Sequence, residues 1–122
     1  AIITRGFAEI TRLGVAMGAR TETFFGVAGA GDLATTCFSP TGRNRSCGEL
    51  LGKSIRLKEA LDSITGVVEG VPTTKAVVNL ARKYRVEMPI TSAVHQVLFE
   101  DLDPLEAIGQ LMSRQPKAER VG

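Results

Sequence analysis

The sequence lacks most of what a disulfide-stabilised, metal-binding or membrane-spanning protein requires. Its two cysteines, Cys37 and Cys47, are too few for a disulfide framework and lack metal-ligand spacing, so we expect a protein of the reducing cytoplasm with no metal site. No apolar run approaches the roughly 20 residues of a membrane-spanning helix. The 15 basic and 13 acidic residues leave a net charge of +2, which gives no general attraction to nucleic acid or membrane. Any anion binding must therefore be local.

Signals for β-structure are also missing. No stretch alternates convincingly between apolar and polar residues, and no Asn-Gly or Asp-Gly hairpin turn occurs. Apolar residues recur instead at three- and four-residue steps, which is typical of amphipathic helices. With 122 residues, 43% of them apolar, the chain is long enough for one compact core and not for two. We predict a single all-α domain.

The first predicted helix covers residues 1–18. Five apolar residues recur along it at helical spacing: Ile3, Phe7, Ile10, Leu13 and Met17. Three charged residues repeat on the opposite face: Arg5, Glu9 and Arg12. Because the chain begins inside this helix and without a methionine, we expect it to be a fragment of a longer protein.

Further helices are predicted along the rest of the chain. They are expected as a short turn after Thr21, then at 32–37, from 41–44 to about 51, at 57–62, from Pro72 to about 85, at 90–98, and from Asp103 onward. Thr91 or a neighbour is expected to cap the helix at 90–98. In the last helix, Asp103 is predicted as N-cap with Glu106 as its capping-box partner. Its predicted buried face consists of four residues: Leu105, Ile108, Leu111 and Met112.

The segment from 27 to 48 carries the strongest indication of a binding site. Gly29-Ala30-Gly31 precedes a single carboxylate, Asp32, and Arg43-Asn44 follows in a loop that contains Pro40 and Gly42. Glycines allow close backbone approach to a ligand, and Arg with Asn suits a planar grip on phosphate. At the start of a helix, Arg43 and Asn44 would also lie beside unpaired N–H groups that attract anions. These features predict a pocket for a small phosphorylated, hydroxylated molecule.

Each candidate residue also has a structural interpretation. Asp32 can simply cap the following helix, Arg43 and Asn44 can belong to a solvated face, and Thr36 can bond back to a helix carbonyl. Glu69 lies among valines, where a carboxylate is disfavoured unless it is paired, points into a polar cleft or lies at the surface. His95 has no ligand-spaced partner and is expected to be structural. No catalytic triad, carboxylate pair or phosphate loop can be assembled.

Four segments resemble, in order and spacing, the C-terminal domain of bacterial-type NAD(P)-dependent glycerol-3-phosphate dehydrogenases: AIITRGFAEITRLGVAMGA, FFGVAGAGDLATTCFSPTGRNRSCG, VVEGVPTTKAV and VEMPITSAVHQVLFE. The resemblance covers essentially the whole chain. It implies a helical domain of the 6-phosphogluconate dehydrogenase C-terminal type, covering 1–122, that packs against an N-terminal Rossmann domain absent from this chain. It also implies reversible reduction of dihydroxyacetone phosphate to sn-glycerol 3-phosphate, for phospholipid synthesis, with NAD or NADP bound mainly by the missing domain.

The resemblance also implies roles for individual residues. Asp32 would bind the substrate hydroxyl and orient a catalytic lysine upstream of the chain, and Thr36 would support it. Arg43 and Asn44 would hold the substrate phosphate, with Arg43 also near the cofactor. Two further residues would contact the cofactor at the domain cleft: Val67 and Glu69. The family commonly has Ser where this chain has Gly42, so Gly42 is expected to offer only a backbone contact to the phosphate.

The resemblance further implies a cytoplasmic homodimer, and the chain alone is expected to be inactive. Two other functions stay open. The chain can be the helical domain of another β-hydroxyacid or ketopantoate-type dehydrogenase, which would hold a carboxylate substrate. It can also be a helical module without enzymatic function whose glycines and arginines contact a protein partner.

Overall fold

A computed structural model describes residues 2–20 and 42–113, and all regular structure in these two ranges is helical. The helices are α1 (Ile2–Ala16), α2 (Arg43–Gly52), α3 (Leu57–Ser63), α4 (Gly70–Tyr84), α5 (Pro89–Phe99) and α6 (Pro104–Met112). The all-α prediction is confirmed, and each predicted helix within these ranges occurs within a few residues of its expected bounds. The segments predicted after Thr21 and at 32–37 lie outside the described residues.

Helix α5 lies at the centre of the arrangement, where it packs against α1, α4 and α6, while α2 packs against α3 and α6. Within residues 2–20 and 42–113, the buried apolar residues form three small clusters. The first joins Leu13, Ala81 and Met88; the second joins Cys47, Ala60 and Val68; the third joins Ala93, Ala107 and Leu111. The second cluster fixes α2 and α3 against the segment that leads into α4. None of the described helices combines the length and apolarity that crossing a bilayer requires.

The polar face of α1 is buried, contrary to the simple amphipathic pattern. Arg5 is 8% exposed and Glu9 only 1% exposed, and Thr11, two residues after Glu9, is fully buried. Two residues of the predicted apolar stripe, Ile10 and Met17, are instead largely exposed. The physical reason is that the charged side chains of α1 bond to backbone groups at the ends of other helices, which a sequence pattern does not reveal.

Glu9 caps helix α5 from the neighbouring helix. Its Oε2 accepts a hydrogen bond from the Ile90 N–H at 2.6 Å, and its Oε1 accepts one from the Thr91 N–H at 3.2 Å. Because Pro89 has no N–H, these are the first donors that α5 offers. The prediction that Thr91 or a neighbour caps this helix is therefore wrong. The capping group is a side chain that lies 81 positions from Ile90 in the chain. Burial raises the pKa of the Glu9 carboxyl, and the two amides and Arg12 only partly oppose this.

The two arginines of the same face bind carbonyl oxygens. Arg5 donates from Nη1 to the Leu111 carbonyl at 3.1 Å, near the C-terminal end of α6. Arg12 donates from Nη2 to the Glu87 carbonyl at 2.7 Å, in the turn between α4 and α5. A cation is favourable at a helix C-terminus because the last carbonyls lack helical donors. Hydrogen bonds thus fix helix α1 to α5, to α6 and to the turn between α4 and α5.

Helix α6 begins as the sequence predicts. Asp103 accepts a hydrogen bond from the Glu106 N–H at 3.2 Å, which confirms the N-cap. Of its predicted buried face, Leu111 is confirmed as buried, whereas Leu105 is 75% exposed and the unpredicted Ala107 is buried instead. Two more residues of the predicted stripe are also exposed: Ile108 and Met112. The small alanine lets α6 approach α5 closely, and this turns the larger apolar side chains outward.

Candidate functional site

The N-terminal end of α2 is uncapped by any side chain. Gly42 occupies the N-cap in an extended conformation and offers no side-chain acceptor. The first helical hydrogen bond runs from the Ser46 N–H to the Gly42 carbonyl at 3.0 Å. The backbone N–H groups of Arg43 and Asn44 precede that bond, so they belong to the donors that a helix start leaves without helical partners. The predicted position of Arg43 and Asn44 in a first helical turn is confirmed.

The charges at this end have the sign that normally destabilises a helix. Arg43 and Arg45 place two guanidinium groups beside the positive end of the helix dipole, and the first turn contains no acidic residue. Arg45 forms an ion pair with Glu49, one turn further on, at 3.0 Å between Nε and Oε1. Helix α6 shows the stabilising arrangement, with Asp103 as cap and Glu106 in the first turn. The start of α2 has the charge and the backbone donors that attract an anion.

Asn44 is fixed by the first residue of α4. Its Oδ1 accepts a hydrogen bond from the Gly70 N–H at 2.9 Å. Because a backbone N–H can only donate, the amide oxygen is the atom that bonds to Gly70, and Nδ2 takes no part in that bond. Asn44 thus satisfies an N–H at the start of α4 and keeps its own two donors for another partner. The two helix starts, α2 and α4, are joined at this side chain.

Arg43 lies against the segment that precedes α4. A Cβ built on Gly66 would lie 2.9 Å from Nη1 and 3.3 Å from Cζ of Arg43, so the guanidinium packs directly on this glycine. Gly66 has a φ of +96°, a conformation that residues with side chains rarely adopt. The guanidinium and the Asn44 amide therefore both contact the short segment from 66 to 70.

The other two candidates of the described chain lie on that same segment. Val67 is 63% exposed and Glu69 is exposed, whereas Val68 between them is buried in the cluster with Cys47. Of the interpretations left open for Glu69, the surface position is the one the structure has. Sequence reasoning treated the pair as part of a brief apolar segment; the fold presents them beside Arg43 and Asn44.

Five of the seven predicted site residues are thus brought together: Gly42, Arg43, Asn44, Val67 and Glu69. The other two, Asp32 and Thr36, lie outside the described residues. Sequence reasoning missed the two glycines that contact the Arg43–Asn44 pair, Gly66 and Gly70. Their position at either end of the 66–70 segment was the available signal, but nothing in the sequence says which side chain a glycine faces.

The described residues fit one edge of a nicotinamide cofactor site. Val67 offers an exposed apolar side chain to a flat ring, and Arg43 offers a cation for a phosphate or pyrophosphate. The sheet and glycine-rich turn that hold a dinucleotide do not occur in residues 2–20 and 42–113. Most of such a site would have to be supplied by other residues.

Other candidate chemical groups in the described ranges have structural roles. Cys47 is a free, buried thiol, and burial raises its pKa, which makes it a poor nucleophile. His95 contacts Glu100 at 3.1 Å and packs on the Phe99 ring, in agreement with the structural role expected for it. Within 2–20 and 42–113, no group of three or more His, Cys, Asp or Glu side chains is placed to hold a metal ion.

Two cavities lie among the described residues. One, of about 420 Å³, runs between α2, α4, α5 and α6, begins at Asn44 and Gly70, and is otherwise lined mostly by apolar side chains. The other, of about 550 Å³, lies at the far end of α4 around Arg82 and Arg85. The apolar lining of the first cavity makes it unsuitable for a phosphate.

Comparison with known proteins identifies the family. Residues 1–109 match the family model described as NAD-dependent glycerol-3-phosphate dehydrogenase C-terminus. The chain is 51% identical over 119 residues to glycerol-3-phosphate dehydrogenase [NAD(P)+] 2 of Salinibacter ruber, which covers 98% of this chain and 35% of that protein. It is 52% identical over 122 residues to the Thermoanaerobacter sp. enzyme, covering 100% of this chain and 37% of that protein.

A solved structure agrees with these matches. The crystal structure of glycerol-3-phosphate dehydrogenase from Coxiella burnetii superimposes with a TM-score of 0.89 at 44% identity, covering 93% of this chain and 35% of that one. The chain thus spans little more than a third of the length of the relatives it matches. At this level of identity and coverage, the chain belongs to the family of NAD-dependent glycerol-3-phosphate dehydrogenase C-terminal domains.

Proposed function

We propose that this chain is the substrate-binding domain of an NAD(P)-dependent glycerol-3-phosphate dehydrogenase, which reduces dihydroxyacetone phosphate to sn-glycerol 3-phosphate for phospholipid synthesis. The observation that carries the proposal is the start of α2, where the Arg43 guanidinium and backbone N–H groups without a side-chain cap place positive potential beside an oriented asparagine amide. A helix end of this kind favours a dianionic group such as a phosphate ester. The family membership of the chain supports the same substrate.

In this proposal the phosphate serves as a handle. The Arg43 guanidinium pairs with two of its oxygens, the Asn44 Nδ2 group donates to a third, and the N–H groups at the start of α2 add neutral donors. None of these groups takes part in bond breaking. Their binding energy holds carbon 2 of the three-carbon substrate in a reactive position, so distant contacts lower the barrier at the reacting atom.

The remaining roles fall on residues outside the described ranges and on the missing domain. We propose that Asp32 accepts a hydrogen bond from the substrate hydroxyl and orients the ammonium of an upstream lysine, with Thr36 in support. That lysine donates a proton to the ketone oxygen as the carbonyl is reduced. A bound NADH or NADPH would supply the hydride. Val67, Glu69 and Arg43 would contact this cofactor from one side, while a Rossmann domain upstream of Ala1 would hold most of it.

The proposal also includes a cytoplasmic location and a homodimer. The free Cys47 thiol is compatible with a reducing compartment, and the homodimer rests on the family resemblance alone. Light scattering coupled to size-exclusion chromatography of the full-length protein measures the mass directly. A monomeric mass would remove the homodimer from the proposal and leave the reaction unaffected.

The decisive experiment is a substrate comparison with the full-length dehydrogenase. Oxidation of NADH or NADPH is followed by the loss of the absorbance of the reduced nicotinamide. The substrates compared are dihydroxyacetone phosphate, dihydroxyacetone and a 3-oxo acid. We expect turnover of the phosphorylated ketone alone. Turnover of the oxo acid in preference to dihydroxyacetone phosphate would favour a β-hydroxyacid type of dehydrogenase, and absence of turnover with all three would favour a binding module.

Arg43→Ala tests the phosphate grip itself. Losing a charge-assisted contact worth about 1.5–3 kcal/mol should raise KM for dihydroxyacetone phosphate by about 10- to 150-fold. Arg45→Ala is the matched control, because it removes the same charge from the same helical turn while its guanidinium is directed to Glu49. Equal effects of the two substitutions would show that general charge, and not a specific contact, attracts the substrate.

A further inference from the structure

We propose that Gly66 and Gly70 are positioning residues that determine how the Arg43–Asn44 pair meets the substrate phosphate. The inference rests on the proposed function and adds two residues to it. Neither glycine would touch the substrate. Each acts through a side chain that contacts it. Gly66 packs against the Arg43 guanidinium, and the Gly70 N–H donates a hydrogen bond to the Asn44 amide.

Gly70 controls the orientation of the asparagine amide. Its N–H donates to Oδ1 of Asn44 at 2.9 Å, which fixes the oxygen as the acceptor at Gly70 and leaves the two Nδ2 hydrogens to donate to another group. If the amide were reversed, its oxygen would face the phosphate and repel it. A Cβ at this position would lie 2.8 Å from Oδ1 and 3.0 Å from Cγ of Asn44, so any other residue displaces the amide that the N–H is holding.

Gly66 controls the position of the guanidinium. A Cβ here would lie 2.9 Å from Nη1, 3.3 Å from Cδ and 3.3 Å from Cζ of Arg43, and the contact runs along the side chain rather than only at its tip. The φ of +96° is a second constraint, because it strains any residue with a side chain. With glycine at both positions, the 66–70 segment can approach the start of α2 closely enough to seat both side chains at once.

The fold supplies a matched control for each glycine. Gly48, in the same helix as Asn44, has open space around a built Cβ, so Gly48→Ala introduces the same methyl group without a collision. Gly18 has a φ of +104°, and no described residue lies within 4 Å of a Cβ built on it, so Gly18→Ala introduces the same kind of backbone strain without touching Arg43. The site effect of each glycine substitution is therefore separable from its generic effect on the backbone.

The test measures KM and kcat of full-length Gly70→Ala, Gly66→Ala, Gly48→Ala and Gly18→Ala with dihydroxyacetone phosphate, and the dissociation constant for sn-glycerol 3-phosphate without nicotinamide by calorimetry. Gly70→Ala and Gly66→Ala should raise KM and the dissociation constant by about 10- to 100-fold, as expected for a binding group displaced by about 1 Å. Their kcat should fall as well, because a displaced phosphate no longer holds carbon 2 in its reactive position. Gly48→Ala and Gly18→Ala should keep the wild-type KM.

A double-mutant cycle with Asn44→Ala separates positioning from folding. Once the amide is removed, a methyl group on Gly70 has nothing to displace, so adding Gly70→Ala to Asn44→Ala should leave KM where Asn44→Ala alone puts it. Independent, additive increases in KM would overturn the inference. If Gly70→Ala alone fails to fold, recovery of folding in the Asn44→Ala background supports the contact, and continued failure there overturns it.

The outcomes also distinguish this inference from the proposed function. If the wild-type full-length protein does not reduce dihydroxyacetone phosphate, the proposed function fails before any glycine variant is made. If it does, and Gly70→Ala and Gly66→Ala bind the substrate as tightly as Gly48→Ala and Gly18→Ala do, only the positioning role is wrong.

Discussion

Helix α5 begins on a carboxylate that belongs to helix α1, and replacing that carboxylate tests how the bundle is held together. Glu9 is 1% exposed and accepts hydrogen bonds from the Ile90 and Thr91 N–H groups at 2.6 and 3.2 Å. Glu9→Ala removes both acceptors and leaves two donors in a buried place. Loss of a cap together with unsatisfied amides should lower the free energy of unfolding by about 2–4 kcal/mol, which corresponds to about 8–16 °C in Tm.

Glu9→Gln gives the opposite expectation at neutral pH. Gln keeps the volume and one acceptor oxygen but has no charge to bury, so it resembles protonated Glu9. Burial raises the pKa of Glu9 above 4.5 in the folded protein. The folded state therefore holds the proton more tightly than the unfolded state does, and the contribution of Glu9 to stability is greatest below pH 4.5. That contribution is lost as the pH rises through the folded-state pKa.

The assay is denaturant unfolding, followed by far-UV circular dichroism, of wild type, Glu9→Gln and Glu9→Ala between pH 4 and pH 8. Taking the difference between wild type and Glu9→Gln cancels the titration of every other group. We expect wild type and Glu9→Gln to have similar free energies of unfolding near pH 4. Above pH 4 the free energy of unfolding of Glu9→Gln should rise relative to that of wild type, while Glu9→Ala is less stable than both. A wild type that gains on Glu9→Gln as the pH rises would refute the reasoning.

Two other substitutions test the cap of α6 and the proposed chemistry. Asp103→Ala removes the acceptor of the Glu106 N–H and should lower the free energy of unfolding by about 1 kcal/mol, as urea denaturation would measure; an unchanged midpoint would mean that solvent replaces the cap. Asp32→Asn in the full-length enzyme should depress kcat while the circular dichroism spectrum stays that of wild type, and a wild-type kcat would remove Asp32 from the mechanism.

Most of the helices could be predicted because their signals are local. The Asp103-Pro104-Leu105-Glu106 sequence contains a cap, a proline for the first turn and a capping-box partner within four residues, and the structure starts α6 there. Pro72 in the first turn of α4 and Pro89 at the start of α5 act in the same way. Such signals depend on backbone geometry over one helical turn, which distant parts of the chain hardly change.

The residues that face the core could be predicted only in part. Ile10 and Leu105 have the right spacing for a buried stripe, yet both are exposed, because small residues and charged side chains occupy the contact surfaces instead. Glu9 is buried because two amides 81 and 82 positions away need an acceptor. Periodicity reports which residues share a face; it does not report what the opposing surface offers.

The candidate site also has features that are local in the sequence and features that depend on packing. The sequence by itself determined the residue types suited to a phosphate, Arg43 and Asn44, and their place in a first helical turn, because both follow from chemistry and spacing along a few residues. Only the tertiary structure decided that Gly66 lies against Arg43 and Gly70 against Asn44, at the two ends of the segment that carries Val67 and Glu69. The physical reason is that a site is a meeting of backbone surfaces distant in the chain, and packing sets the closeness of that approach.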